Sequence, residues 1–227
     1  MRRFDLVCFD VDGTLIDRPD GKTVWQILNE RFAGSGALNE ARMRDYLAKR
    51  IRYDEWVALD VGDWIQARAT RAQVVEALEG LALIDGARET VGALKEEGCR
   101  LAVISGTLDL CLELLFPAHP FDEVFTNRIW FDSAGRLSGW EATPFDMEGK
   151  AGAMREIRRR EGFTRERCAF VGDHFNDIAA AKEAGFSIAF NPKSPALESV
   201  ASVVVRGRDL REILPHLTAG DGIPAGN

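Results

Sequence analysis

Four short segments of this 227-residue chain carry side chains that could do chemistry together. The first is Phe9-Asp10-Val11-Asp12-Gly13-Thr14-Leu15, where two carboxylates two residues apart follow an apolar run and precede a glycine. If the run is a strand, both acids emerge together at its end; a strand-end turn with an Asp cap is the plainer alternative. The second, Val103-Ile104-Ser105-Gly106-Thr107, closes an apolar run on a hydroxyl and a glycine. Placed at a helix start, that hydroxyl and the backbone N–H groups could meet an anion, although strand-Ser-Gly is also a common turn. The third is Lys150, a single lysine opening a helical pattern, which by itself reads as solvated surface. The fourth is Val171-Gly172-Asp173-His174-Phe175-Asn176-Asp177, with two carboxylates four apart. Helix capping explains Asp177 and leaves Asp173 unexplained. Combined, the segments supply carboxylates for nucleophilic and acid–base work beside an anion cradle and a positive charge.

The elements that must position these residues are legible in the apolar pattern. Residues 6–9, 101–104, 168–171, 188–190 and 203–205 are continuous apolar runs, as expected of parallel strands covered on both faces. Helical patterns at 88–97, 150–161 and 177–184 fall between them and stop at Gly98, Gly162 and Gly185. The alternation predicts an α/β fold, a doubly wound Rossmann-like parallel sheet. Residues 17–83 differ: they hold no strand-like run and show four amphipathic helices, at 23–32, 39–51, 54–68 and 70–81. Val57, Val61, Trp64 and Ile65 mark one face of the third, and Thr70-Arg71-Ala72-Gln73 is a capping box for the fourth. This predicts an inserted helical-bundle cap over 17–83, with the core formed by 1–16 and 84–217. Ligands bind at the C-terminal strand edge of such sheets, so the cap would overhang that edge. Residues 123–139 read as a small hairpin or flap, and 218–227 as a frayed tail.

Composition narrows the function. With 46% hydrophobic and 29% charged residues the chain can bury a proper core, which excludes a disordered or low-complexity protein. The 36 acidic against 29 basic side chains give a net charge of −7, which disfavours nucleic acid or an anionic membrane as partner. Cys8, Cys99, Cys111 and Cys168 are scattered without a C-x-x-C pair, so neither a disulfide framework nor a zinc site is expected. After Met1-Arg2-Arg3 the apolar stretch is interrupted by Asp5, Asp10 and Asp12, and no run approaches membrane-spanning length. A soluble, cytoplasmic protein is expected.

Three strands deliver, in order, Asp-x-Asp, Ser and Gly-Asp-x-x-x-Asp, with a lysine between the last two. In this combination the sequence resembles the haloacid dehalogenase (HAD) superfamily, and most nearly its phosphoserine phosphatase-like branch. The likeness runs through the cap, the Asn127-Arg128 segment and the Arg208-Asp209-Leu210-Arg211-Glu212 ending. It implies a phosphoric monoester hydrolase: a Mg²⁺-dependent phosphatase for a small phosphorylated metabolite, working through an aspartyl-phosphate. By resemblance Asp10 is the nucleophile, and Asp12 protonates the leaving oxygen and later deprotonates water. Ser105, Gly106 and Lys150 hold the phosphate, with Asn176 at the substrate side. Mg²⁺ falls to the Asp10 carboxylate, the Asp12 carbonyl and the Asp173 carboxylate, with Asp177 orienting Asp173 or bound waters from behind. Crowded carboxylates repel one another, which raises at least one pKa and helps Asp12 hold a proton.

An acid two residues after the nucleophile favours a phosphatase or mutase over a dehalogenase or transport ATPase. A phosphotransferase or phosphomutase is therefore the alternative, and a non-enzymatic binding protein on this fold a more distant one. The assembly would be a monomer or homodimer. The resemblance breaks at substrate recognition. The serine-specific enzymes grip the ammonium with a Glu and the carboxylate with a cap Arg, where ungapped matching here gives Pro19 and Asp60. Arg52, Arg68 or Asp20 could substitute if gaps intervene. Phosphoserine is accordingly expected to be a poor substrate. Trp25, Trp56 and Trp64 read as helix packing, with Trp56 the first choice if one lines a pocket for a less charged alcohol. His174 reads as a mouth residue without a chemical role.

Overall fold

The computed structural model describes residues 2–218, so most of the 218–227 tail expected to fray lies outside the described residues. The chain forms strands β1 (Leu6–Phe9), β2 (Ile16–Asp17), β3 (Ala82–Leu83), β4 (Arg100–Leu108) and β5 (Glu123–Phe131). These are followed by β6 (Leu137–Glu141), β7 (Cys168–Gly172), β8 (Phe186–Phe190) and β9 (Val203–Val205). Seven of them make one sheet in the order β6-β5-β4-β1-β7-β8-β9, parallel except for β6. The connections run outward from β1 first on one side and then on the other. The switch point where ligands collect in open α/β sheets therefore lies between β4, β1 and β7.

The strand sequences are apolar throughout because each face has its own core. Val7, Phe9, Leu101, Val103 and Val171 point one way and join Val91 and Leu94 of α5 (Ala87–Glu96), Leu110 and Leu112 of α6 (Asp109–Leu115) and Leu217 of α10 (Leu214–Leu217). Leu6, Cys8, Ala102, Ile104 and Phe170 point the other way. They meet Ala153, Met154 and Ile157 of α7 (Lys150–Glu161), Ala180 of α8 (Ile178–Glu183) and Leu197 of α9 (Pro195–Glu198). A side-chain period of two with both faces covered leaves no polar alternation to see. All four cysteines are buried and free. No helix among the described residues is long and apolar enough to cross a membrane.

Two expectations change here. Residues 123–139 do form a hairpin, β5 turning back on β6, but not a separate flap, because the first half of β5 pairs in parallel with β4. Its outer half is covered on one side only, so exposed Trp130 alternates with buried Ile129 and the continuous apolar signal of a central strand is missing. Second, Gly98 and Gly162 do end their helices in the left-handed region (φ +81° and +70°), but Gly185 does not. It is required by contact, since a Cβ there would lie 2.3 Å from the Arg165 carbonyl oxygen.

Between β2 and β3 the chain forms α1 (Val24–Phe32), α2 (Ala37–Leu47), α3 (Tyr53–Gln66) and α4 (Arg71–Ala77). The capping box read at Thr70 and Gln73 is present, and Thr23 with Gln26 makes another. These helices leave and re-enter the sheet domain through the antiparallel β2–β3 ribbon. The β5–β6 turn supports their far end, where the Arg71 N–H donates to Gly135 O (2.8 Å) and the Leu137 N–H to Ala69 O (2.8 Å).

At the opposite, N-terminal edge of the sheet, Arg167 grips Asp5 bidentately, Nε to Oδ2 at 3.0 Å and Nη2 to Oδ1 at 2.9 Å. It thereby ties the entry to β1 to the entry to β7. The Arg167 hydrogen bond is the main reason the Asp5 carboxyl is lowered to about 2. A depressed folded-state pKa stabilises above the unfolded value and is lost as pH falls through the folded one. Asp5→Asn should therefore destabilise by about 1 kcal/mol at neutral pH. Urea unfolding should show the gap from wild type shrinking between 3.8 and about 2. A gap independent of pH would show that the ion pair is not its source.

Candidate active site

Phe9 pairs with Val103 on one side and Val171 on the other, so the residues just beyond these three positions share one edge. Asp10 sits there, 3% exposed, with its N–H bound to Val171 O at 2.9 Å. The chain then turns sharply: the N–H groups of Thr14, Leu15 and Ile16 converge on Val11 O at 3.1, 2.8 and 3.0 Å. Gly13 makes the turn possible at φ +85°, and a Cβ at that position would lie 2.2 Å from Asp173 Oδ2. Backbone and side chain from two strands approach here more closely than any other residue allows.

Lys150 is fully buried at the start of α7. Its Nζ donates to Asp10 Oδ1 at 2.6 Å and Asp177 Oδ1 at 2.7 Å, with Asp146 Oδ1 at 4.0 Å. Burial pulls its pKa down, but Asp10, Asp177 and Asp146 outweigh that and hold the ammonium above its ordinary value. The surface reading of this lysine is thus reversed, because an unpaired buried ammonium would be costly and this one has two carboxylates. It stands behind the cavity wall and reaches the site through Asp10. Asp177 is likewise behind the wall: its Oδ2 accepts the N–H groups of Asp173 and His174 at 2.9 and 3.0 Å. One carboxylate therefore fixes both Lys150 and the strand end carrying Asp173, and Gly172 leaves it room.

Asp173 is 1% exposed, and its Oδ2 lies 3.3 Å from Lys193 Nζ while its Oδ1 has no hydrogen-bond partner. Burial, then Asp10 and Asp177, push its carboxyl well above the usual range. Asp12, partly buried, is pushed up to about 7 by burial first and Asp10 second. Asp10, Asp12, Asp146, Asp173 and Asp177 thus crowd around two ammonium groups, Lys150 and Lys193. Oxygens of Asp10, Asp173 and Asp177 lie within 4.8 Å of one another. With both Asp177 oxygens already engaged, Asp10 and the orphaned Asp173 oxygen are the free donors. An all-oxygen set in negative excess fits a hard divalent cation such as Mg²⁺.

Asp10, Asp12, Ser105, Gly106, Asp173 and Asn176 all line one cavity of about 420 Å³. Ser105 is buried, and its Oγ accepts the Thr107 N–H at 3.2 Å. The sequence places it at a helix start, but it lies inside a strand. β4 runs on to Leu108, with its register to β5 shifting between Ile104 and Leu108, so Ser105 and Gly106 occupy an irregular strand segment. A register shift depends on the neighbouring strand and leaves no local signal. Asn176 meets Asp146 at 3.4 Å, and His174 lines the cavity mouth against Phe175.

Asp60 does not face the cavity. It is fully buried between α2 and α3, bound by Arg42 and by Asn39 Nδ2 at 3.2 Å. It therefore does not stand where the serine-specific enzymes present their cap Arg, because a helix face that looks open in an ungapped match is turned inward by packing. Arg52 pairs with Asp54 on the exterior, and Asp20 pairs with Arg18. Trp64 is core, whereas Trp25 and Trp56 both line the cavity. Sequence reasoning missed Asp146, Lys193 and Tyr53 as cavity residues and read Trp25 as packing. Lys193 follows the apolar strand β8 by three residues and could have been found as another strand-end charge. Asp146 sits in an irregular loop and carries no such mark.

The fold and site find matches among known proteins. Residues 4–185 match the family model described as haloacid dehalogenase-like hydrolase, and the chain belongs to that family. Within it the protein is phosphoserine phosphatase-like. It is 29% identical over 215 residues to the phosphoserine phosphatase of Methanocaldococcus jannaschii, covering 93% of this chain and 97% of the other. It is 31% identical over 205 residues to that of Archaeoglobus fulgidus, covering 86% of this chain but 55% of the relative. A substrate-bound phosphoserine phosphatase complex superposes with a TM-score of 0.74 at 27% identity, covering 96% of this chain and all 100% of that one. The HAD fold and membership expected from the four motifs are thereby shown.

If Asp173 is a cation ligand, Mg²⁺ should raise the melting temperature of wild type. Saturation to a hundredfold the dissociation constant adds about 2.7 kcal/mol. Asp173→Asn should remove most of that increment in thermal unfolding with and without Mg²⁺. An unchanged increment in the variant would remove Asp173 from the ligand set.

Proposed function

We propose that the protein is a Mg²⁺-dependent phosphatase that hydrolyses a small-molecule phosphate monoester through an aspartyl-phosphate on Asp10. The observation that carries this reading is the single cavity into which the ends of β1 and β7 and the irregular segment of β4 bring Asp10, Asp12, Ser105, Gly106 and Asp173. In this reading residues 17–83 act as a cap over a core of 1–16 and 84–217.

Asp10 attacks phosphorus in line, forming an O–P bond as the ester O–P bond breaks. Lys150 on Oδ1 fixes the rotation of that carboxylate and offsets charge as phosphoryl oxygens approach. Asp12, with its carboxyl near neutrality in pKa, gives its proton to the departing alkoxide. The same group, now ionised, takes a proton from water, whose oxygen attacks phosphorus; the Asp10 carboxylate leaves and inorganic phosphate is released. Ser105 and the Gly106 N–H hold the phosphoryl group. The Asp10 and Asp173 carboxylates with the Asp12 carbonyl would hold Mg²⁺, which supplies neutralisation of the phosphate charge when bound. Asp177 acts through Lys150 and the Asp173 backbone rather than on substrate.

Asp10→Asn should abolish phosphate release, because no phosphoenzyme can form, and intact-mass measurement should show no phosphoryl adduct. Asp12→Asn should lower turnover by about 10²–10⁴-fold, since both half-reactions lose their proton carrier. Near-wild-type turnover by Asp10→Asn would defeat the mechanism. Phosphoryl transfer to an added acceptor alcohol in preference to water would reclassify the protein as a phosphotransferase.

A further inference from the structure

The half of the cavity facing the cap helices differs from the half that gathers the carboxylates. Its apolar lining is Trp25 from α1, Met43 from α2, Tyr53, Trp56 and Val57 from α3, and Leu81 beside the ribbon, while the polar Gln26 and Asn39 among them are bonded to Thr23 and Asp60. The rings are held in place. Trp25 lies 5.3 Å from buried Trp64, and its Nε1–H is tied to Gly106 O at 2.8 Å. Tyr53 and Trp56 lie 6.1 Å apart, and both pack on Tyr46. The Tyr53 hydroxyl accepts from Asn127 Nδ2 at 2.7 Å. Trp56 is held by packing alone, its indole N–H buried without a partner. Rings packed in this way present a preformed, largely apolar wall, which binds an apolar group with little ordering cost.

The charged side chains at this end are occupied or exposed. Arg18 pairs with Asp20 at 3.2 Å and Lys22 with Glu30 at 2.6 Å. Glu40 and Arg44 stand exposed at the rim, where an ion pair with a ligand is screened and contributes little. Asp17 and Asp146 lie towards the lysines, 3.9 Å from Lys193 and 4.0 Å from Lys150. Among the described residues lining this half, no buried guanidinium fork awaits a carboxylate.

We propose that the cap half of the cavity selects phosphate monoesters whose alcohol carries an apolar, uncharged body, held by Trp25, Tyr53, Trp56 and Met43, over amino-acid phosphates. The proposal rests on the phosphatase reading of the carboxylate half and names the substrate class of the same site. The apolar body packs on the cap rings while the ester oxygen points to Asp12.

The test compares ethyl phosphate, phenethyl phosphate and O-phosphoserine with the full-length protein and Mg²⁺. All three release primary alkoxides, so differences in kcat/KM report recognition more than leaving-group chemistry. Phenethyl phosphate should exceed ethyl phosphate and O-phosphoserine by about tenfold or more. Trp56→Ala should draw the phenethyl-to-ethyl ratio towards one, mainly through KM. Trp56→Phe should keep the ratio, which separates loss of the wall from loss of fold. O-phosphoserine ahead of phenethyl phosphate, or a ratio unmoved in a folded Trp56→Ala protein, overturns the proposal and leaves the phosphatase reading standing. Phosphate released from none of the three overturns both.

Discussion

Everything in this molecule is arranged around carboxylates that would not stay together unaided. Asp10, Asp173 and Asp177 present oxygens within 4.8 Å of one another inside a protein, where like charges repel strongly. Lys150 makes the cluster tolerable by bonding Asp10 and Asp177 from behind, in a position no water reaches. The balance is deliberately incomplete on the cavity side, where one Asp173 oxygen lacks a partner and Asp12 is held near neutrality. In the proposed reaction, that incomplete balance would let a cation and a phosphoryl group enter without displacing an internal partner.

Such a cluster needs a rigid frame, and the sheet supplies it. β1 is hydrogen-bonded to β4 and β7 along its whole length and covered on both faces, so its end has little freedom. A slip of one residue in β1 would exchange the two cores and turn the side chain of residue 10 over, so register and chemistry are specified by the same apolar contacts. The turn at Gly13 and the placement of Asp177 beneath Gly172 use the only residue that permits such close approach.

The cavity divides between two kinds of physics. On the core side, ionic groups are fixed by hydrogen bonds whose geometry is tightly specified. On the cap side, aromatic rings are fixed by packing on one another and by two hydrogen bonds to the core, from Trp25 to Gly106 and between Tyr53 and Asn127. Those two bonds join the halves: the Gly106 carbonyl, beside Ser105 in the cavity, also receives Trp25 from α1. The ring side can therefore change its packing while the charged cluster stays intact.

The sequence alone determined the doubly wound core, the helical insert and the strand-end positions of Asp10, Asp12 and Asp173. These depend on local runs and turns: an apolar strand followed by acids and glycine delivers its acids to one edge whatever surrounds it. What tertiary structure alone decided is which way each remaining side chain faces. Lys150 looks like a surface residue until Asp10, from 140 positions away, meets it. Asp60 looks like a pocket residue until Arg42 draws it into the cap. Trp25 and Trp56 enter the cavity wall while Trp64, on the same helix as Trp56, is sealed in the core. Helical periodicity groups residues into faces, but the choice of face for the core is made by the helices packed against it, and that information is spread over the whole chain.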